Sequence, residues 1–374
     1  MNLFPSKPSS NSNFLQKLKV INWEVICILF IFFLTGCTVL YSASGGNLYP
    51  LVKNHVIKFI FSSIVFIFIL LINYNFIKKI SFSFYLISVG LLIFLIFFGI
   101  ESAGSKRWIS LGFVSIQPSE FAKIFLVLAI AKYYSEVAFV KNNSLIKSIF
   151  PILLTIVPFF LIVNQPDLGT SLLLVANGLS VIIVSGVSIW LIIIGFIIFM
   201  SLIPLTWNLL HNYQQNRILT FLNPENDPLG SGYHIAQSKI AIGSGGFIGK
   251  GYMQGSQSQL EFIPEIHTDF VFSIFSEEFG FLGSVIIILL HLYLFIYGMK
   301  SSFYAKNEFD KLVIFGLTIN YFFYFLINIS MVIGIIPVVG VPLPIISYGG
   351  SSMLAVIISF AIIQKINVNR KLIN

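Results

Sequence analysis

Residues 261–299 read EFIPEIHTDFVFSIFSEEFGFLGSVIIILLHLYLFIYGM. From 269 onward the stretch is mostly apolar and longer than the ~20 residues that a helix needs to cross a bilayer. Its opening is the reverse in kind. Of the 14 Asp and Glu in 374 residues, five fall here: Glu261, Glu265, Asp269, Glu277 and Glu278. A span that begins on concentrated negative charge is the feature to be explained.

The rest of the chain agrees with a membrane setting. It is 57% hydrophobic and 10% charged, carries 40 Phe and has a mean hydropathy of +0.93, too little polar surface to coat a water-soluble globule. Ten apolar runs are expected to span, at roughly 23–43, 54–73, 80–100, 117–134, 148–163, 168–186, 188–209, 269–299, 311–335 and 348–366. The fourth and fifth are short or interrupted by proline. The fold class is therefore all-α, a polytopic membrane protein of about ten helices. A single transmembrane domain, 23–366, is expected between tails at 1–22 and 367–374, with one large loop at about 210–268 and no repeat.

The polar start with Lys7, Lys17 and Lys19, followed by an apolar run without a small-residue cleavage site, predicts a retained first helix. Alternate loops divide the cations unevenly. One side holds thirteen: Lys7, Lys17, Lys19, Lys78, Lys79, Lys141, Lys147, Lys300, Lys306, Lys311, Lys365, Arg370 and Lys371. The other holds seven: Lys53, Lys58, Lys106, Arg107, Arg217, Lys239 and Lys250. Both termini are accordingly expected in the cytoplasm. Basic cytoplasmic loops account for the net charge of +8 without nucleic acid. Cys27 and Cys37, both in the first span, lack the spacing and company of metal ligands and read as packing residues.

A loop as long as 210–268 is generally functional or disordered. Within it, YHIAQSKIAIG (233–243) is expected to form a short amphipathic helix on the membrane surface. The glycine run after it, GSGGFIGKGYMQG, matches neither a phosphate loop nor a dinucleotide fingerprint, because the spacings fail. It reads as flexible backbone able to approach a bulky polar group, or as a plain mobile loop.

Four stretches carry candidate chemistry. In the opening one, Thr268 is the expected N-cap, and Asp269, Ser273, Ser276 and Glu277 fall on one helical face with Glu278 opposite. Asp269 reads either as a first-turn acid complementing the helix dipole or as a base, its ionisation hindered by Glu261 and Glu265 and favoured by the helix N-terminus. In SKRWISLGFVSIQPSEFAKI (105–124), Glu120 and Lys123 share a face just inside the membrane, and Lys106 and Arg107 flank Trp108 at the interface, as anchors or as receivers of an anionic headgroup. In NQPDLGTS (164–171), Asp167 opens a helix. IIPVVGVPLPIISYGGSSM (335–353), with three prolines, is expected to border a cavity, since irregular backbone in lipid needs protein or water beside it.

Together DPLGSGYHIAQSKIAIGSGGFIGKG, QSQLEFIPEIHTDFVFSIFSEEFGFLG, SIQPSEFAKI and VVGVPLPIISYGGSS resemble the SEDS family (shape, elongation, division and sporulation), bacterial plasma-membrane proteins of ten helices. The resemblance runs from about residue 100 to the end of the chain. It implies a peptidoglycan glycosyltransferase that polymerises lipid II outside the membrane during elongation and releases undecaprenyl diphosphate. On this resemblance the HTDF aspartate, Asp269, is the catalytic residue, and Glu120, Lys123 and Arg107 fall on family motif positions. Arg107, Lys123, Lys239 and a possible divalent cation (Mg or Mn) are expected to meet the diphosphate charge, and Glu120 and Tyr348 complete the substrate-binding set. The implied partners are a class B penicillin-binding transpeptidase and other proteins of the elongation complex. Two alternatives stay open, a lipid II flippase and a non-catalytic scaffold for the transpeptidase.

Overall fold

The computed structural model describes residues 19–102, 105–110, 115–137, 144–187, 190, 193–195, 197, 200–201, 212–223, 231–259 and 267–373. Glu261, Glu265 and most of the seventh expected span lie outside them. The chain is an all-helical, multi-pass membrane protein. Among the described residues, six helices are long and apolar enough to cross a bilayer: α1 (Trp23–Ala43), α2 (Leu51–Leu71), α3 (Tyr74–Phe98), α10 (Val271–Phe303), α11 (Glu308–Ile333) and α12 (Gly350–Ile373). Three more pack among them, α4 (Pro118–Val137), α5 (Ser144–Val163) and α6 (Leu168–Val184).

Burial follows the solvent. α2 and α3 turn Ile64, Phe68, Leu86, Phe97 and Phe98 outward, where acyl chains lie. The centre belongs to α4, whose Ile124, Leu126, Val127, Ala129 and Ile130 are fully enclosed by α3, α6 and α11. Enclosure explains how α4 tolerates Glu120 and Lys123, since ionisable side chains in spans face the bundle interior or pair there, while Lys132 and Glu136 lie at the more exposed end of the helix.

The prolines of α5 do not interrupt it. Pro151 and Pro158 both sit inside a continuous helix. Proline at 158 removes the N–H that Leu154 O needs, and the Tyr85 hydroxyl donates to that carbonyl at 2.8 Å from α3. A neighbouring helix thus satisfies the freed peptide group.

Three short antiparallel strands, β1 (Ile100–Ser102), β2 (Ser105–Ser110) and β3 (Ser115–Ile116), follow α3. Hydropathy gave no sign of them. Beyond α6, the long connection contains α7 (Asn212–Leu222), α8 (Ser231–Ser244) and the single turn α9 (Ser256–Gln259). The expected surface helix at 233–243 is α8, but it lies against protein. Ser238, wholly buried, shares a 2.8 Å hydrogen bond with Ser273 Oγ and donates to Val332 O at 2.7 Å.

The glycine run packs its backbone against α10. α10 breaks at Gly280, whose φ of 65° and ψ of −163° suit glycine almost alone, so a nine-residue limb, 271–279, precedes the spanning limb. The loop after α8 fills the break. Lys250 N donates to Glu277 O at 3.0 Å and Gly251 N to Glu278 O at 3.1 Å, while Phe281 N and Leu282 N donate back to Gly246 O and Phe247 O at 2.9 and 3.1 Å. Contact this close excludes side chains: a β-carbon on Gly245 would lie 2.1 Å from Ser276 O, and one on Gly249 2.1 Å from Glu278 O.

Gly280→Ala combines a forbidden backbone conformation with a β-carbon 2.3 Å from Gly249 N. It is expected to cost at least about 1–3 kcal/mol, read as a lower apparent melting temperature in detergent and faster amide exchange over 246–251. Unchanged exchange in that loop would show that the break does not hold it.

Candidate active site

Asp269 lies in the turn before α10, half-exposed, and not within the helix. The helix begins at Val271 with Phe270 in the N-cap position and no side-chain capping bond, so Thr268 does not cap it. The turn is fixed through its backbone. Asn328 Nδ2 of α11 donates to Asp269 O at 2.8 Å and to Val341 O at 2.7 Å, and Tyr348 N donates to His267 O at 2.9 Å. These bonds stitch the HTDF turn to the irregular segment 334–349. There Gly340, at a φ of 78°, comes close to the carboxylate: a β-carbon at 340 would lie 3.4 Å from Asp269 Oδ2, an ordinary contact distance.

Ser273, Ser276, Glu277 and Glu278 face protein. Ser273 meets Ser238, and Ser276 accepts from Ser284 at 2.9 Å. Glu277 is fully buried and receives Lys250 Nζ at 2.7 Å, Gln257 N at 3.2 Å and Ser256 Oγ at 3.3 Å. Glu278, also buried, accepts from Ser42 of α1. Two of the five carboxylates therefore hold the extramembrane loop and α1 to the short limb of α10.

Segment 334–349 borders several further polar residues. Lys239 of α8 runs across Gly334, where a β-carbon would lie 2.7 Å from its Nζ, and is exposed. Arg217 of α7, also exposed, donates to Val338 O at 3.2 Å. Val339 packs on Gly169 of α6, two residues past Asp167. Lys58 of α2 places Nζ 3.6 Å from the centre of the half-buried Tyr348 ring, a cation–π contact, and Asn54 Nδ2 is 3.5 Å from the Tyr348 hydroxyl.

Arg107 and Asp167 are committed to each other. Asp167 caps α6 by accepting from Thr170 N at 3.1 Å, as a helix-start acid should, and also accepts from Thr170 Oγ1 at 2.9 Å and Gln117 Nε2 at 3.2 Å. Arg107 NH1 stands 3.8 Å from its Oδ2, while the same guanidinium donates to the carbonyls of Gln165 and Pro166. Lys106 has its side chain outside the described residues.

Glu120 and Lys123 form the most enclosed pair in the site. Their Nζ–Oε1 distance is 2.9 Å, and side-chain exposure is 6% and 0%. Tyr324 of α11 completes a triad, its hydroxyl 2.6 Å from both Glu120 oxygens and in contact with Lys123 Nζ. Both side chains are buried and engaged with each other and with Tyr324. They join α4 to α11, four residues before Asn328.

Sequence reasoning did not assign Tyr324, Asn328, Lys58, Asn54 or Arg217 to the site. A signal existed for Asn328, since a polar side chain inside an apolar span marks function or an interhelical bond. No such signal marks Tyr324, because its partners lie about two hundred positions away. As for a metal, no three of His, Cys, Asp and Glu meet among the described residues. The HTDF turn offers one carboxylate and His267, so a divalent cation would need ligands from the substrate's own phosphates.

Removing one partner of a buried ion pair strands the other and costs roughly 3–5 kcal/mol, whereas apolar replacement of both is often neutral. Lys123→Met is therefore expected to lower the apparent melting temperature more than Glu120→Leu/Lys123→Met does. Equal losses in thermal unfolding would contradict a coupled pair.

The cell cycle protein family of FtsW, RodA and SpoVE matches residues 17–372. The peptidoglycan glycosyltransferase MrdB of Escherichia coli is 44% identical over 291 residues, 78% of each chain. MrdB of Helicobacter pylori is 37% identical over 303 residues, 76% of this chain and 74% of that one. The probable peptidoglycan glycosyltransferase FtsW of Buchnera aphidicola is 36% identical over 327 residues, 86% of this chain and 91% of that one. Among solved structures, one from work on the structural coordination of polymerization and crosslinking by a peptidoglycan synthase complex superposes with a TM-score of 0.82 at 26% identity, covering 94% of this chain and 98% of that one. Rod shape determining protein RodA of Thermus thermophilus superposes at 0.71 and 23% identity, over 94% and 97%, which speaks to the fold. A family match spanning nearly the whole sequence, joined to relatives at 36–44% identity, makes this chain a member of the FtsW/RodA/SpoVE family, whose SEDS motifs it carries.

Proposed function

We propose that the chain is a peptidoglycan glycosyltransferase that polymerises lipid II at the outer face of the plasma membrane during elongation, with Asp269 as general base. The observation that carries this reading is the placement of Asp269. It is half-exposed at the end of the bundle, in a turn held by Asn328 and Tyr348 and next to Gly340. The names of the MrdB relatives support the activity, and the thirteen-to-seven division of cations supports cytoplasmic termini with Asp269 outside.

In this reading the acceptor sugar's 4-hydroxyl gives its proton to the Asp269 carboxylate as its oxygen bonds the donor's anomeric carbon. The bond from that carbon to the diphosphate oxygen breaks, and its electron pair leaves with undecaprenyl diphosphate. Negative charge then grows on the leaving group, where preorganised cations lower the barrier most. Lys239, Arg217 and Lys58 suit that task, since all three border segment 334–349. Arg107, bound to Asp167, supports the α6 end of the same segment. Glu120 and Lys123 act as positioning residues, fixing α11 and through Asn328 the HTDF turn. Each step is taken by the chain's own residues.

A flippase would need ionisable groups along a path through the bilayer, and the Glu120–Lys123 pair is sealed by Tyr324 instead. The partner in this reading is a class B penicillin-binding transpeptidase, in keeping with the polymerization and crosslinking named for the synthase complex.

The purified chain with its cognate transpeptidase, given labelled lipid II and no other polymerase, is expected to make glycan strands. Asp269→Asn should reduce the rate roughly a hundredfold or more while folding and binding its partner normally; equal product from both would refute the assignment. Lys239→Gln and Arg217→Gln should slow polymerisation and leave the stability within about 0.5 kcal/mol of wild type. Undiminished rates in both would remove these cations from the leaving-group site.

A further inference from the structure

At the end of the bundle remote from Asp269, where Lys19 and Ile373 lie, α1, α2 and α12 enclose an apolar cavity of about 340 Å³. Ile26 and Phe30 of α1, Phe59, Phe66 and Ile67 of α2, and Ile357 of α12 form its walls. Ser63 is the hydroxyl residue among its lining, and that hydroxyl is satisfied by Phe59 O at 2.8 Å. Phe30 and Ile67 are also half exposed on the lipid-facing surface, at 48% and 50%, so the cavity opens to acyl chains. It suits hydrocarbon.

The mouth is of opposite character. Ile21, Leu70 and Val368 close it with a small apolar cluster of their own. Around that cluster stand three lysines. Lys371 Nζ lies 3.5 Å from Val20 O, next to the exposed Lys19, and Lys365 is buried beneath them, donating to Leu70 O at 2.8 Å. The rim is rigid, because Asn22 and Gln364 exchange hydrogen bonds between backbone and side chain at 3.3 and 3.2 Å. The adjacent acid, Glu24, is turned toward α10, where the Tyr293 hydroxyl donates to it.

We propose that this cavity and rim form a binding site for an anionic glycerophospholipid. One acyl chain fills the cavity, and the phosphate rests against Lys19 and Lys371. The argument is charge complementarity. Any lipid gains by filling the cavity, but only a net negative headgroup draws on the lysines, by about fivefold in affinity for each one. Basic pockets between spanning helices at the headgroup level are suited to such lipids. The inference is independent of the role of Asp269, which lies at the other end of the molecule.

Native mass spectrometry of the full chain in detergent, titrated separately with phosphatidylglycerol, phosphatidylethanolamine and undecaprenyl phosphate, tests it. Wild type should retain one phosphatidylglycerol with roughly tenfold or greater preference over phosphatidylethanolamine. Lys19→Gln/Lys371→Gln should weaken that adduct by about twenty-five-fold, and Ser63→Phe, which fills the cavity, should weaken it without altering the lysines. Equal retention of the two phospholipids would mean annular lipid only and overturn the proposal. So would a preference that survives the double lysine substitution, or a hold on undecaprenyl phosphate that Ser63→Phe weakens more than it weakens the hold on phosphatidylglycerol, which would assign the cavity to a polyprenyl chain.

Discussion

A helix that leaves its regular geometry inside or beside a membrane must hand its peptide groups to protein, because lipid accepts none of them. The break in α10 at Gly280 is where this constraint bears hardest. The loop 246–251 answers it with reciprocal backbone hydrogen bonds to both limbs, which is why glycines recur at 245, 249 and 280, where backbones touch. The short limb is thereby freed to end where segment 334–349 can meet it. Without the break, α10 would continue straight and carry the HTDF turn away from Asn328 and Tyr348.

Charge in this molecule is sorted by depth and by occupation. Glu277 and Glu278 are consumed in holding the loop and α1. Glu120 is consumed by Lys123 and Tyr324, and Asp167 by the start of α6 and Arg107. Each of these pairs gives a fixed geometry to groups whose burial alone would be costly. Among the described residues, half-exposed Asp269 and exposed or half-exposed Lys239, Arg217 and Lys58 lie at the surface around segment 334–349. The enclosed pairs make the frame on which these groups are carried. The same division recurs at the far end, where Lys365 supports α2 and Lys19 and Lys371 face outward.

Much of the architecture was legible in the amino-acid order. The spans at 23–43 and 168–186 agree with α1 and α6 to within two residues, since twenty apolar residues sum to the same answer in any context. The fifth run, 148–163, was read four residues short at its start, because hydropathy does not count the polar first turn with Ser144 and Lys147. Asp269 and Lys239 were found as exposed candidates, from charge density and from motif. Glu120 and Lys123 were correctly placed on one face, yet their enclosure depends on Tyr324, and Lys58, Arg217 and Asn328 entered the site only by contact.

By itself, then, the sequence determined that this chain crosses a membrane many times, which family it belongs to, and which acid opens the eighth span. These are local properties: hydropathy over one helix length, and motifs a few residues long. Tertiary structure alone decided that the glycine run is a brace, that one Glu–Lys pair is sealed, and which cations border the HTDF turn. Those outcomes depend on bonds such as Ser42 to Glu278 and Lys123 to Tyr324, between residues more than two hundred positions apart. Only packing brings such residues together, and the pattern around either partner does not encode the other.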